Sequence, residues 1–320
     1  MRIIGLALAV STLALAQTPS YVVSPFPQVS GLGLVAMNNR GQAVGHLNSL
    51  RQAVVATPAG ITPVPLPSGW TAAAAGGIND LGWISGTIGN GTISEAFIGT
   101  SQGITPIPLL EGWEFANGFQ INNSGIVTGY AQVPNAELPF IAIGTHVVPL
   151  PVPSGGYYIT TPYSINDFGE VAGWAVNSTT GQPYVGNIFK ATAVPLPTGW
   201  TSSVACSINN RGQIAGFGYN NGQEMPFIGN KNGFAPIPLP PGATQAGLLN
   251  FSVNALNDLG QVVGWSDVGA WVWDSSHGTR LLNSLISAGP NLQSGVGINN
   301  LGQILAQDTS GNYYLLSPIR

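Results

Sequence analysis

The stretch Ile208-Asn209-Asn210-Arg211-Gly212-Gln213-Ile214-Ala215-Gly216 is one of seven copies of a motif in this chain. Each copy has an apolar residue, Asn, then Asn or Asp, a variable residue and Gly, followed by an alternating apolar run. The first Asn can bond the backbone two residues on, and the Gly can adopt the positive φ of a tight hairpin turn. The motif therefore predicts a β-hairpin corner. The copies read MNNRGQAVG, INDLGWISG, INNSGIVTG, INDFGEVAG, INNRGQIAG, LNDLGQVVG and INNLGQILA.

The spacing of the corner glycines gives the size of the repeat. From Gly41 to Gly302, successive corner glycines are 41 to 48 residues apart. A period of about 40–45 residues is typical of a four-stranded propeller blade. The Gly, Pro and period-2 patterns exclude a helical repeat of similar length. We therefore predict an all-β fold, a seven-bladed β-propeller of four-stranded antiparallel blades.

The composition of the segments predicts the strand order within a blade. The segment before each corner is rich in Ala, Gly and Ser, as in AAAAGGIN, which suits a crowded innermost strand. The last segment of each repeat carries prolines, as in ITPVPLP. Proline cannot donate to a β-ladder, so this strand is expected on the outer edge.

The two ends of the chain predict how the ring closes. The last repeat has candidate strands at 294–299, 303–308 and 312–316, and no Pro-rich segment follows them. The segment Tyr21-Val22-Val23-Ser24-Pro25-Phe26-Pro27 resembles the Pro-rich strands of the other repeats. We expect an N-terminal strand at about residues 20–26 to pair with 312–316, complete the last blade and close the ring.

The charge balance limits the classes of partner. The chain has 320 residues, of which 6% are charged, and its formal net charge is −4 with eight Lys and Arg. This balance gives no basic patch, so nucleic acid and anionic membrane surfaces are poor partners. The expected partner is a neutral polysaccharide or another envelope protein, and the expected state is a monomer.

The first sixteen residues predict export. Arg2 precedes an apolar run that ends in Ala14-Leu15-Ala16, the pattern of a cleaved secretory signal. The run is short for a membrane span, and a buried first strand is the alternative. We expect a signal peptide over 1–16 and a single propeller domain over 17–320, in a secreted or periplasmic protein with no membrane span.

The repeat resembles the bacterial extracellular HAF repeat. The resemblance rests on IN-[ND]-x-G-x-V-x-G, then Ala-Phe, then a Pro-rich strand, and it covers residues 20–316. It implies an extracellular repeat protein and no particular chemistry, because the family is not defined by one activity. The His-Ala-Phe tripeptide itself is absent, so a role resting on the family's histidines has no matching residues here. The equivalent positions read Glu95-Ala96-Phe97, Leu138-Pro139-Phe140, Gln182-Pro183-Tyr184, Met225-Pro226-Phe227 and Gly269-Ala270-Trp271.

No metal site or cofactor is expected. Three corners carry Asn-Asp and resemble calcium loops, but a calcium loop needs several oxygens from one short segment. Turn geometry is therefore favoured over calcium binding at Asp80, Asp167 and Asp258. The histidines occupy unlike repeat positions, which argues against a His-based metal site. The single cysteine, Cys206, is expected to be a small buried filler.

No catalytic residues are predicted. No Gly-x-Ser-x-Gly elbow and no phosphate-binding glycine loop occurs in the strand-turn-helix context that such a motif requires. Glu95, Glu137 and Glu224 precede third strands, and two of them facing each other would suit glycoside hydrolysis. They have no partner motif, so solvated carboxylates are the favoured interpretation.

An aromatic residue follows Gly after several outer strands, at Trp70, Trp113, Tyr157 and Trp200. Aromatic rings beside neutral polar groups can stack on a sugar ring, which makes these four the candidate ligand-binding residues. The alternative is that each ring packs between neighbouring blades. The sequence thus predicts an exported binding or interaction module without enzymatic activity. A polysaccharide hydrolase or lyase and a structural envelope or matrix protein are the alternatives.

Overall fold

The computed structural model describes residues 21–249 and 253–319. Within these ranges the chain forms β-strands and a short 3-10 helix at Leu282–Ser284. No helix among the described residues has the length and apolar character needed to cross a membrane. The signal segment predicted at 1–16 lies outside the described residues.

Each corner motif joins the first and second strands of an antiparallel unit, and the units are numbered 1 to 7 after their corners. In chain order the strands are β1 (Tyr21–Pro25), which pairs in unit 7; β2 (Leu32–Met37), β3 (Ala43–Leu47), β4 (Gln52–Thr57) and β5 (Gly60–Pro63) in unit 1; β6 (Ala72–Ile78), β7 (Ile84–Gly89), β8 (Ser94–Thr100) and β9 (Gly103–Ile107) in unit 2; β10 (Phe115–Ile121), β11 (Ile126–Val133), β12 (Ala136–Ile143) and β13 (His146–Pro149) in unit 3; β14 (Ile159–Ile165), β15 (Val171–Val176), β16 (Gly181–Gly186) and β17 (Ala191–Ala193) in unit 4; β18 (Trp200–Ile208), β19 (Gln213–Asn220), β20 (Gln223–Asn230) and β21 (Gly233–Pro236) in unit 5; β22 (Ala246–Gly247), β23 (Val262–Ser266), β24 (Trp271–Asp274) and β25 (Gly278–Leu281) in unit 6; and β26 (Leu292–Ile298), β27 (Ile304–Asp308) and β28 (Tyr313–Pro318) in unit 7.

The predicted strand order within a unit is confirmed. In unit 2 the order is β6-β7-β8-β9, so the Ala-rich strand is at one edge and the Pro-containing strand is at the other. The first strands of successive units contact each other, as β6 does with β10 and β10 with β14. Small side chains let these strands crowd together, and prolines occupy the edge that needs no donor.

In units 1 to 5 the glycine of the second strand makes room for a bulge in the first strand. In unit 5 the pairing register shifts between Ala205 and Ser207, opposite Gly216. A Cβ on Gly216 would overlap the carbonyl oxygen of Val204 and would lie 2.7 Å from the ring of Phe227. Phe227 is fully buried, as are its equivalents Phe97, Phe140, Tyr184 and Trp271. The glycine therefore serves both the bulge and the buried ring of the third strand.

We expect Gly216→Ala to lower the free energy of unfolding by about 3 kcal/mol, because the added methyl group meets backbone that must shift. Gly60→Ala is the matched control, since a Cβ at Gly60 would have no atom within 4 Å. It should change the free energy of unfolding by less than about 0.5 kcal/mol. Urea unfolding measures both, and equal midpoints for the two variants would contradict the steric argument.

The hydrophobic core is divided among the contacts between successive units. One cluster joins Ala172 and Val185 of unit 4 to Ile208 and Phe227 of unit 5. Each unit therefore depends on its neighbour to cover an apolar face, as expected for a repeat array.

The N-terminal strand β1 pairs antiparallel with β28, from Tyr21 opposite Pro318 to Pro25 opposite Tyr314. Tyr21 and Phe26 are 5% and 2% exposed, and the Phe26 N–H donates to the carbonyl of Tyr313 at 2.9 Å. The predicted pairing of the N-terminal strand with the last strand is thus present over the described residues, with its partners at 314–318 where 312–316 was expected. It gives unit 7 its fourth strand from the opposite end of the chain.

The first strand of unit 6 departs from the repeat. Only Ala246–Gly247 forms a strand there, and Val253 lies against the first strands of units 3, 4 and 5. The carbonyl of Val253 accepts from Ser207 Oγ at 3.0 Å, and from Gln120 Nε2 and Ser164 Oγ at 3.4 Å. The extra residues behind the 48-residue spacing of Gly212 and Gly260 therefore bring a backbone acceptor to the middle of the fold.

Candidate functional site

The first Asn of each corner links its unit to the next. All seven of these side chains are buried, and each Nδ2 donates to the backbone oxygen of the first Asn in the following corner. The last bond runs from Asn299 to Asn38, so the series returns to its start. The bonds are Asn38 to Asn79 (2.9 Å), Asn79 to Asn122 (3.0 Å), Asn122 to Asn166 (3.0 Å), Asn166 to Asn209 (3.1 Å), Asn209 to Asn257 (2.9 Å), Asn257 to Asn299 (3.0 Å) and Asn299 to Asn38 (3.0 Å).

The second corner residue forms a parallel series in which Asn and Asp alternate. Each backbone N–H at this position donates to the side-chain Oδ1 of its equivalent in the next corner. Asp258, for example, accepts from the backbone N–H of Asn210 at 2.8 Å and from Asn300 Nδ2 at 2.7 Å. Two Asn residues adjoin only where Asn300 meets Asn39. In chain order the residues are Asn39, Asp80, Asn123, Asp167, Asn210, Asp258 and Asn300.

These bonds explain the Asn-Asp pairs that resemble calcium loops. The carboxylates of Asp80, Asp167 and Asp258 accept from amide groups of neighbouring corners. No group of three His, Cys, Asp or Glu residues within 21–249 and 253–319 is arranged to hold a metal ion. The corners enclose a cavity of about 100 Å³, and their Asn and Asp side chains bond mainly to one another. We therefore assign these Asn and Asp side chains to holding the units together.

The four aromatic residues predicted to bind ligand lie in four separate core contacts. Trp200 is 7% exposed and packs edge-to-face against Phe227 and Phe234, with ring centroids 6.1 and 5.0 Å away. The expectation of an exposed platform is therefore wrong for Trp200. Its ring fills the contact between units 4 and 5.

The other three predicted rings are half-buried. Trp113 lies 5.4 Å from the ring of Phe140, and the Tyr157 hydroxyl accepts from Gln182 Nε2 at 2.6 Å. Trp70 packs against a cluster of units 1 and 2. The preceding glycines have a left-handed φ, such as +87° at Gly69, so the recurring Gly-aromatic pair belongs to the turn into the next unit. Ligand contact by these three rings stays a prediction.

A different repeat position carries aromatic residues, three of which line cavities. The residue after the second-strand glycine, or after Ala306 in unit 7, is aromatic in four successive units and polar in the other three. The aromatic group is Tyr130, Trp174, Phe217 and Trp265, and the polar group is Gln307, His46 and Thr87. Aligning the seven repeats would have revealed this division. Units 3 to 6 therefore differ from units 7, 1 and 2 at a position where the repeat requires no particular residue type.

Two adjacent cavities open beside this aromatic position, and together we call them the aromatic cleft. They share Tyr163 and Trp174, and they lie on the side of the second-to-third turns, opposite the corners. The cavity between units 3 and 4 has a volume of about 360 Å³ and is lined by Asn117, Phe119, Tyr130, Glu137, Ile159, Thr161, Tyr163 and Trp174. The cavity between units 4 and 5 has a volume of about 260 Å³ and is lined by Tyr163, Trp174, Ser202, Ser203, Val204, Cys206, Phe217, Gly218 and Tyr219.

The aromatic rings of the cleft support one another. Phe119 stacks on Tyr130 with centroids 5.8 Å apart and meets Tyr163 edge-on at 5.3 Å. Burial raises the pKa of Tyr163 and of Tyr130 above the usual value, so both phenols are neutral at physiological pH. Tyr219 is 44% exposed and forms part of the wall. The cleft thus offers fixed ring faces and neutral hydroxyl groups.

The polar groups of the cleft carry little charge. Glu137 is the only carboxylate among the lining residues, and no Lys, Arg or His lines either cavity. Its Oε2 accepts from Thr161 Oγ1 at 2.8 Å. Ser203 is 2% exposed, and its Oγ has no hydrogen-bond partner among the described residues. Such a site suits a neutral ligand that has apolar ring faces and hydrogen-bonding groups.

The three carboxylates considered for glycoside hydrolysis lie in different surroundings. Glu137 contacts Thr161 in the cleft, while Glu224 lies beside Gly247 of unit 6. Burial raises the pKa of Glu224. Burial also raises the pKa of Glu95, although a hydrogen bond from the backbone of Leu109 partly lowers it. The three carboxylates therefore contact different residues. Of the three, only Glu137 lines the aromatic cleft.

No protein-family model matches the sequence, and no curated protein matches it. The structure is similar to that of streptogramin B lyase, with 13% identity, 94% of this chain and 98% of that chain covered, and a TM-score of 0.54. The chain has an all-β, propeller-like fold. A second similar structure is the β-propeller domain of Cps50 (Swd1) from Myceliophteria thermophila, with 8% identity, 92% and 99% covered, and a TM-score of 0.51. At such identities the likeness concerns the fold alone.

Proposed function

We propose that this protein is an exported binding module whose aromatic cleft holds a neutral polysaccharide. The observation that carries the proposal is the cleft itself, in which two adjoining cavities share Tyr163 and Trp174. Aromatic faces pack against the apolar faces of sugar rings, and the neighbouring hydroxyl and amide groups bond to sugar hydroxyls. The absence of cationic side chains from the lining of the cleft favours a neutral chain over an acidic one.

We also propose that the fold is a ring of seven blades closed by the N-terminal strand. Support comes from the pairing of β1 with β28 and from the corner bonds that run from Asn299 and Asn300 back to Asn38 and Asn39. A closed ring would keep units 3 to 5 at fixed angles. The cleft walls come from three units, so their spacing depends on that rigidity.

Export and extracellular action are part of the proposal. They are supported by the secretory pattern of residues 1–16 and by the resemblance to the extracellular HAF repeat. In such a location the protein would meet the polysaccharides of an envelope or matrix. N-terminal sequencing of the mature protein tests export, with Gln17 expected as the first residue and Met1 or Arg2 as the contradicting result.

A second candidate function is polysaccharide hydrolysis or lysis, and the position of Glu137 in the cleft favours it. The carboxylate lies among aromatic walls and already accepts one hydrogen bond, from Thr161. A glycosidase of the usual kind needs a second carboxylate facing the first. The cleft lining contains none, so binding is the preferred function.

The experiment is a glycan-array screen of the purified protein, with release of reducing sugar measured on every glycan that binds. We expect binding to neutral glycans without release, because the cleft contains one carboxylate. Release that disappears in Glu137→Gln would replace the binding proposal with the hydrolytic one. Binding confined to acidic glycans, or no binding to any glycan, would overturn the assignment of the cleft.

A further inference from the structure

The turn between the third and fourth strands of unit 4 carries two exposed apolar residues at its tip. Ile188 is 47% exposed and Phe189 is 84% exposed. The tips of the equivalent turns are polar or small, which shows that the repeat requires no apolar residue here. In units 1, 2, 3, 5 and 6 they read Pro58-Ala59, Ser101-Gln102, Gly144-Thr145, Lys231-Asn232 and Ser275-Ser276-His277.

The turn is built without these apolar side chains. Asn187 Oδ1 accepts from the backbone N–H groups of Phe189 at 2.9 Å and Lys190 at 3.1 Å, and the Asn187 N–H donates to the Lys190 carbonyl at 2.8 Å. Folding therefore does not explain a phenylalanine at the tip. An exposed ring at this position favours association with other molecules. Phe189 is so exposed that contacts within the chain bury little of its ring.

The corner of the same unit adds a third apolar residue to this side of the fold. Phe168 occupies the variable position of the corner and is 75% exposed. The first-to-second and third-to-fourth turns of an antiparallel unit lie at the same end, so Phe168 and Phe189 are at the same end of unit 4. They are the two most exposed large hydrophobic side chains among the described residues. We call Phe168, Ile188 and Phe189 the apolar tip.

Cationic side chains flank the apolar tip. Lys190 and Lys231, the two lysines of the chain, line one cavity of about 220 Å³ between units 4 and 5. Arg211 is the variable residue of the unit 5 corner. Glu170 lines the same cavity, and Asp167 precedes Phe168 in the corner of unit 4. This end of units 4 and 5 therefore has three cationic side chains against two carboxylates, and its third-to-fourth turns carry the two lysines and no carboxylate.

We propose that the apolar tip docks this protein on an anionic lipid bilayer. Apolar side chains on protruding turns can enter the boundary between headgroups and acyl chains, and adjacent cations are attracted to anionic headgroups. A protruding tip offers no groove to a peptide, which favours a bilayer over a protein segment. The composition of the whole chain argued against anionic membrane surfaces, but the fold concentrates its lysines at one place.

The test is co-sedimentation of the purified protein with vesicles of phosphatidylcholine alone or mixed with phosphatidylglycerol. We expect binding to the mixed vesicles that weakens as salt is added, because the lysine contribution is screened. The double variant Ile188→Ser with Phe189→Ser should bind at least about tenfold more weakly. Lys190→Gln with Lys231→Gln should bind roughly twentyfold more weakly to the mixed vesicles.

Leu81→Ser is the matched control, because Leu81 is 64% exposed at the unit 2 corner on the same side. It should bind vesicles as the unchanged protein does, and so should the cleft variant Trp174→Ala. Equal binding by the tip variant and the unchanged protein would overturn the proposal. It would also be overturned if the unchanged protein ignored vesicles but self-associated through Phe189, which would make the tip a protein contact.

Discussion

Removing the N-terminal strand, by starting the chain at Gln28, is expected to lower the free energy of unfolding by about 4 kcal/mol. The deletion takes Tyr21 and Phe26 out of two core clusters, in which they are 5% and 2% exposed. Loss of one buried aromatic side chain typically costs about 3–5 kcal/mol. The truncated chain no longer has to order the strand, which recovers part of that loss as backbone entropy.

The same deletion should promote association, because β28 becomes an open edge with unpaired backbone groups. Urea unfolding measures the loss of stability, and light scattering after gel filtration measures the mass in solution. Val22→Ser is the matched control, since Val22 lies in the same strand and is 55% exposed. A truncated protein that kept the unfolding midpoint and the mass of the unchanged protein would refute the structural role of β1.

Replacing the first Asn of a corner should have an effect of similar size. We expect Asn209→Ala to lower the free energy of unfolding by about 3–4 kcal/mol, because three backbone groups lose a buried side-chain partner. Asn209 Oδ1 accepts from the backbone N–H groups of Arg211 and Gln213, each at 3.0 Å. Its Nδ2 donates to the Asn257 carbonyl at 2.9 Å, and the side chain is buried.

The control for this variant is Asn90→Ala. Asn90 Oδ1 also accepts from two backbone N–H groups, those of Thr92 and Ile93 at 2.9 and 3.0 Å, but the turn is exposed and joins no second unit. Water can replace these bonds, so we expect a loss of about 0.5 kcal/mol. Similar losses of stability for the two variants would mean that the bond between units contributes nothing beyond the turn itself.

The strand order within a unit was predictable because each strand has its own constraint. A strand that contains proline cannot lie where both of its edges must donate to a β-ladder, and small residues let the first strands pack closely together. The Asn-x-x-Gly corner fixes the turn between the first and second strands. The pairing of β1 with β28 followed from the same rule, since unit 7 lacked a Pro-rich strand. The hydrogen bonds between corners were not predictable, because they join residues about 43 positions apart through geometry that the turn alone does not set.

The recurring Gly-aromatic pairs do not reveal where the aromatic cleft lies. The turn before Trp200 places its ring in the contact between units 4 and 5, which is the packing alternative that the sequence left open. Trp174 and Phe217 belong to a repeat position whose residue type differs among the units. Packing of the repeat does not require that difference, so it points to a function. The position of Val253 was not predictable either. The spacing of the corner glycines reveals extra residues before Gly260, but it does not show where in the fold they lie.

We propose the aromatic cleft as the ligand-binding site of this protein. The most direct test is calorimetric titration of the best neutral glycan into the unchanged protein and into Tyr219→Ala, Trp174→Ala and Trp83→Ala. Tyr219 and Trp174 line the cleft, and Trp83 follows the unit 2 corner on the opposite side, where it is 42% exposed.

We predict a Kd at least about tenfold weaker for Tyr219→Ala and for Trp174→Ala, because each loses a ring face that the sugar covers. Trp83→Ala should keep the Kd of the unchanged protein. Tyr219 is partly exposed, so its replacement separates loss of ligand contact from loss of folding. An unchanged Kd in both cleft variants, or a weakened Kd in Trp83→Ala alone, would contradict the assignment.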